Sequence, residues 1–116
     1  MTEIQPDEFH RCEERIGYVF TDKKLLKCAL THASGAENRL ASNERLEFLG
    51  DAILGAIVCE MLYKWFPELL EGDLTQIKSA VVSRQTCARL SSNLGLGEFI
   101  IVGRGISAGA QFPSSL

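Results

Sequence analysis

One stretch constrains this chain more than any other: a helical segment that is polar only at its head. Asn43-Glu44-Arg45-Leu46-Glu47-Phe48-Leu49-Gly50-Asp51 opens an apolar run that continues to about Phe66. At about 100° per residue, Glu44, Glu47 and Asp51 fall within about 60° of one another, with Leu46, Leu49, Ile53 and Ile57 on the opposite side. After Asp51 the run Ala52-Ile53-Leu54-Gly55-Ala56-Ile57-Val58-Cys59 is apolar nearly all round. Such a helix is expected in the middle of a domain. Pro67 closes it, because proline cannot continue the hydrogen-bonded ladder and disfavours helical geometry before it.

Three carboxylates at the head of an apolar helix have two readings. Acids favour the positive end of a helix, and Ser42 or Asn43 is a good N-cap. A solvated first turn accounts well for Glu44. It accounts poorly for Asp51, two turns in and beside the apolar run. Buried carboxylates repel one another and lose hydration, and a divalent cation relieves both costs. Magnesium takes oxygen ligands and is commonly held by one or two carboxylates plus water and substrate phosphates. The spacing is therefore compatible with a hard-cation site.

The rest of the chain reads as short helices joined by short loops. Residues 7–16 form an amphipathic helix with Phe9, Cys12 and Ile16 on one face, ended by Gly17. Thr21 or Asp22 can cap a second helix carrying Leu25, Leu26, Ala29 and Leu30. His32 follows it and is expected to be a hydrogen-bonded structural histidine. Residues 35–42 are a polar loop. Glu60 falls near the apolar face of the long helix and calls for a partner such as an arginine. After Pro67, Asp73 and Gln76 have the spacing of a capping box, ahead of Leu74, Ile77, Val81 and Val82. Ser83 can cap a last helix, with Cys87, Ala88, Leu90 and Leu94, ended by Gly95. Phe99-Ile100-Ile101-Val102 is strand-like or buried coil. Gly103-Arg104-Gly105 follows no strand–helix unit and is discounted as a phosphate loop. The expected fold is all-α: about five helices around a long central one.

The 116 residues are enough for one domain with a core. The start lacks the basic and apolar parts of a signal peptide, and the longest apolar run, 52–59, is too short to cross a bilayer. Cys12, Cys28, Cys59 and Cys87 show no paired metal-ligand spacing. Cys28, Cys59 and Cys87 are expected to be reduced core thiols, which suits a cytoplasmic protein with no membrane partner. The net charge of −3 argues against a strong free-standing nucleic-acid binder. The charge is uneven: 37–73 holds eight acids against three bases, whereas 74–116 holds Lys78, Arg84, Arg89 and Arg104 against Glu98. That asymmetry suits a metal with a polyanion, and equally suits helices pairing by opposite charge.

The nine residues from Asn43 to Asp51 resemble, at every position, the signature of the ribonuclease III family. Flanking segments follow in order. Gly17, Tyr18 and Phe20, then Leu25 and Leu26, then Ala29, Leu30, Thr31, His32 and Ser34 resemble the family's sequence ahead of the signature. Glu71-Gly72-Asp73-Leu74, then Val82, Ser83 and Thr86, then Leu94-Gly95-Leu96-Gly97 resemble what comes after it. The resemblance runs from about residue 14 to residue 116.

The resemblance implies an all-helical endonuclease domain that forms a homodimer. It implies magnesium-dependent cleavage of double-stranded RNA, with manganese as a substitute metal. The two sites cut opposite strands and leave short 3′ overhangs, in the processing of rRNA and mRNA. By position, Glu47 and Asp51 would be catalytic metal ligands. Glu44 and Glu71 would support the site or contact substrate, and Phe48 would pack into the partner subunit. The residues themselves leave some of this open. Phe48 lies about 40° from Glu44 on the helix, where it can face a partner or pack on its own chain. Glu71 ahead of a helix start needs no function.

The sequence departs from the family pattern in one respect. Family members continue into a further helix that supplies an Asp and, three residues on, a Glu. No acid follows Glu98 here, and the family's common double-stranded RNA-binding domain has no counterpart. The 116 residues are thus expected to be an endonuclease domain incomplete at its C-terminus, weak or inactive alone. The alternative is a ribonuclease III-like domain without catalysis that binds RNA or acts as a scaffold. A plain helical interaction module would leave the nine-residue match unexplained.

Overall fold

The computed structural model describes residues 6–103. Five α-helices carry the chain: α1 (Pro6–Ile16), α2 (Lys23–Ala29), α3 (Glu44–Trp65), α4 (Glu71–Val81) and α5 (Arg84–Leu94). Two 3-10 turns, Ala33–Gly35 and Arg39–Ala41, occupy the polar link before α3, and a third, Leu96–Phe99, follows α5. Among the described residues the sheet content is one parallel bridge, Thr31 to Ile101. There Ile101 N–H donates to Leu30 O at 2.8 Å and His32 N–H donates to Ile101 O at 2.9 Å. No described helix is long and apolar enough to cross a membrane.

Local chemistry sets most of the helix ends. Asp22 caps α2, accepting from Lys24 N–H at 3.0 Å. Ser83 caps α5, accepting from Thr86 N–H at 3.1 Å. Gly17 and Gly95 end α1 and α5 with φ of 80° and 69°, a region open to glycine at little cost. At α4 the expected capping box does not form. The helix begins three residues earlier, at Glu71, with Leu70 as an N-cap that makes no side-chain bond. Asp73 therefore lies inside the first turn.

The buried core is Cys12, Leu26, Leu30 and Phe99, with Phe9, Phe20, Leu96 and Ile100 packed against it. It joins α1, α2 and the turn after α5. Two arginines of α1 fasten this joint: the Arg11 and Arg15 guanidinium groups each stand 5.5 Å from the centre of the Phe99 ring. Arg15 also pairs with Glu98 at 2.6 Å and donates to Leu94 O at 3.1 Å, neutralising the carbonyl end of α5.

A buried acid closes the link between α1 and α2. Glu13 accepts from Phe20 N–H at 2.6 Å and from the Lys23 ammonium. Those two bonds, the Lys23 one larger, hold its carboxyl below the ordinary value of 4.5 against the opposing effect of burial. An unfolded chain then binds more protons than the folded one as pH falls. The stabilisation is complete above about pH 4.5 and fades as pH drops through the lowered value. Glu13→Gln is expected to flatten the acid limb of the urea midpoint plotted against pH. An unaltered acid limb would show that the bracket contributes nothing.

Three expectations need correction. The long helix is not enclosed: α3 buries only Gly55 and Leu62, while Leu49, Ile53, Ile57, Tyr63 and Trp65 are all exposed. Among the described residues its principal neighbours are α2, α4 and the turn Arg39–Ala41. These leave much of a helix that is apolar on nearly every side uncovered. For the same reason Cys59 is exposed; Cys87 of α5 is also exposed and Cys28 of α2 is half-buried, whereas Cys12 is the buried thiol. Burial first, and then the Glu13 charge, raise the Cys12 thiol pKa, which keeps it protonated and inert. Glu60 finds Lys64 one turn on at 3.4 Å, not an arginine, and both are exposed. The readings of Arg104, Gly105 and the tail, 106–116, lie outside the described residues, as does the start, 1–5.

Candidate active site

The acidic head of α3 is anchored from behind. Asn43 N–H donates to Thr31 O at 2.8 Å, tying the start of α3 to the end of α2. Ser42, buried, donates from Oγ to Arg39 O at 2.7 Å and accepts from Glu44 N–H at 3.3 Å. Asn43 occupies the N-cap position without a side-chain bond, so the capping work falls to Ser42. Glu47 N–H donates to Asn43 O at 2.8 Å, closing the first turn. The backbone that presents the carboxylates is thereby fixed by bonds to two other elements.

The three acids then differ. Glu44 is engaged: Arg39 Nη2 donates to both of its carboxylate oxygens, at 3.0 and 2.9 Å. Glu47 and Asp51 are exposed, with no hydrogen bond or ion pair to their side chains among the described residues. This corrects the expectation of burial, because desolvation is not what would draw a cation here. What remains is geometry. Carboxylates at i and i+4 of one helix have Cβ atoms about 5–6 Å apart, and these two have no competing cation.

Glu71 is not gathered to them within the chain. It opens α4, is exposed, and makes no hydrogen bond or ion pair with α3. Among the described residues, no three His, Cys, Asp or Glu side chains converge closely enough to hold a metal. The arrangement is a pair of free carboxylates with an engaged third one turn back. Phe48 stands on the same side of α3 and is 82% exposed. Packing on its own chain is thus excluded among the described residues. His32 is structural: its Nδ1 accepts from Ser34 N–H at 3.2 Å and lies 2.8 Å from Ser34 Oγ.

Sequence reasoning missed one residue beside this pair. Lys78 of α4 crosses α3 at Gly55, where a Cβ would stand 3.5 Å from Lys78 Cε and 3.7 Å from Nζ. Gly55 is one turn beyond Asp51 and about 40° from it around the helix. The available signal was the glycine itself: inside an apolar helical run it commonly marks a close approach.

The sequence matches the family described as Ribonuclease-III-like over residues 22–113. It is 58% identical over 109 residues to Ribonuclease 3 of Rhodopirellula baltica, covering 94% of this chain and 41% of that protein. To Ribonuclease 3 of Symbiobacterium thermophilum it is 46% identical over 104 residues, covering 88% of this chain and 44% of that one. The chain thus spans less than half the length of these relatives. Its fold is similar to the nuclease domain of ribonuclease III from Campylobacter jejuni, in a structure concerned with flexibility in the region involved in dimer formation. The TM-score is 0.79 at 40% identity, over 84% of this chain and 66% of that one.

Proposed function

Since this chain belongs to the Ribonuclease-III-like family, we propose that it carries the α3 portion of an endoribonuclease site for double-stranded RNA, with Glu47 and Asp51 as ligands of a catalytic magnesium. The observation that carries the reading is the state of those two carboxylates. They are exposed, unpaired and one turn apart on a helix whose head is anchored. A hydrated magnesium ion needs only one or two such carboxylates, with water and substrate phosphates filling the other positions. The donor set present fits magnesium, or manganese in its place. When bound, the metal supplies charge neutralisation on the phosphate and acidification of a water.

The chain's own residues do the positioning. Glu47 and Asp51 would hold the ion through their carboxylates. Glu44, held by Arg39, keeps negative charge beside them without competing as a free ligand, and Glu71, exposed at the start of α4, has a supporting or substrate-contact role. Exposed Phe48 suits a homodimer interface, so that paired sites cut opposite strands and leave short 3′ overhangs. Processing of rRNA and mRNA in the cytoplasm follows as the setting. A second reading, a non-catalytic RNA-binding or scaffold domain, is favoured by the absence of a third converging acid among the described residues.

One experiment separates the two. The product of the complete reading frame is incubated with long duplex RNA or single-stranded RNA, in magnesium or in EDTA. Cutting is expected of the duplex alone, and only with metal. Binding of the duplex without cutting would establish the scaffold reading.

A further inference from the structure

Three acids at the head of α3 would repel the phosphates of an RNA strand flanking the proposed metal, so a side-chain cation near them would favour binding. The nearby bases are mostly engaged or misplaced. Arg39 is held by Glu44, and Lys64 by Glu60. Arg45 lies about 120° around α3 from Asp51. Lys78 remains. Its stem lies over Gly55, which is buried, and its ammonium makes no ion pair or hydrogen bond among the described residues. The Cβ positions of Asp51 and Gly55 are about 5–6 Å apart. With the 3.7 Å from that position on Gly55 to Nζ, the ammonium lies within roughly 10 Å of Asp51 Cβ. That is close enough to act on the same phosphates, yet outside ion-pair distance of the carboxylates.

A half-buried lysine with no partner among the described residues favours an incoming anion, and lysine is a compact point charge suited to phosphate. The geometry points to Lys78 as a phosphate-contact residue, taking an RNA backbone phosphate at or next to the scissile one. This rests on the nuclease reading above. A Cβ at Gly55 would make only ordinary contact with Lys78, so a side chain well beyond alanine in size is needed there to displace the lysine stem.

The test uses the product of the complete reading frame and a short RNA duplex, with binding read in EDTA so that nothing is cut and cleavage read separately in magnesium. Affinity is measured by fluorescence anisotropy over a range of salt. Lys78→Met keeps the stem and removes the charge. It is expected to weaken binding roughly tenfold, the scale of one charged hydrogen bond, and to reduce the slope of log affinity against log salt by about 1. Lys78→Arg keeps the slope. Gly55→Leu, which keeps the lysine but displaces it, reproduces the loss. Lys78→Gln replaces Lys78→Met in the comparison if the latter loses its helical circular dichroism. A wild type that binds and cuts, with charge-free variants matching its affinity and slope, would reduce Lys78 to packing and leave the nuclease reading standing. A wild type that neither binds nor cuts the duplex would overturn both.

Discussion

Glu47→Gln and Asp51→Asn, each made in the product of the complete reading frame, are expected to lower duplex RNA cleavage at least about 100-fold, with no loss of stability. The bound on activity follows from the chemistry: changing even a residue behind a metal's direct ligands commonly costs 10–100-fold. The amide forms keep size and hydrogen bonding but lose the charge that holds a hard cation. The claim on stability follows from the geometry. Neither carboxylate is paired with anything among the described residues, so the substitutions break no contact. Exposed changes of this kind fall within about ±0.5 kcal/mol, and relief of like charges one turn apart is slightly favourable. Cleavage rates and urea midpoints measured on the same preparations check both halves. Normal turnover in either variant would remove that residue from the site, and a fall in the midpoint would assign it to the fold.

The contrast between Glu13 and Asp51 shows what the sequence could and could not reveal. Both are acids beside apolar residues. Glu13 is buried because a lysine and a backbone N–H arrive from the next ten residues to satisfy it. Asp51 is exposed because, among the described residues, no element covers its side chain. Periodicity located the helices, and short-range chemistry at Asp22, Ser83, Gly17 and Gly95 set their ends, since each cap depends on neighbours in the chain. A helix apolar on every side carries no such information about which sides are covered. Hence the exposure of Ile53 and Ile57, and the exchange of Cys12 for Cys59 as a core thiol, emerged only from packing. The start of α4 at Glu71 was missed because no side chain caps it. The Lys78–Gly55 contact joins residues of different helices, and its trace in sequence was one glycine.

If the complete product forms the proposed homodimer, Phe48→Glu is expected to raise its dissociation constant about 30-fold or more while leaving the folded subunit intact. At 82% exposure the ring buries little on its own subunit, so substitution costs that subunit little. In a dimer with twofold symmetry the ring would meet the partner's equivalent surface twice, once from each side. Aromatic anchors near the centre of such interfaces commonly carry about 2 kcal/mol or more, which is about 30-fold in affinity. A glutamate there adds negative charge to a surface already bearing Glu44, Glu47 and Asp51, and like charges facing across an interface oppose association. Sedimentation equilibrium over a range of protein concentrations reads the constant directly, with circular dichroism as the check on folding. Equal association of the variant and the wild type would place the dimer contact elsewhere, with the exposed Leu49, Ile53 and Ile57 on the other side of α3 as the next surface to substitute.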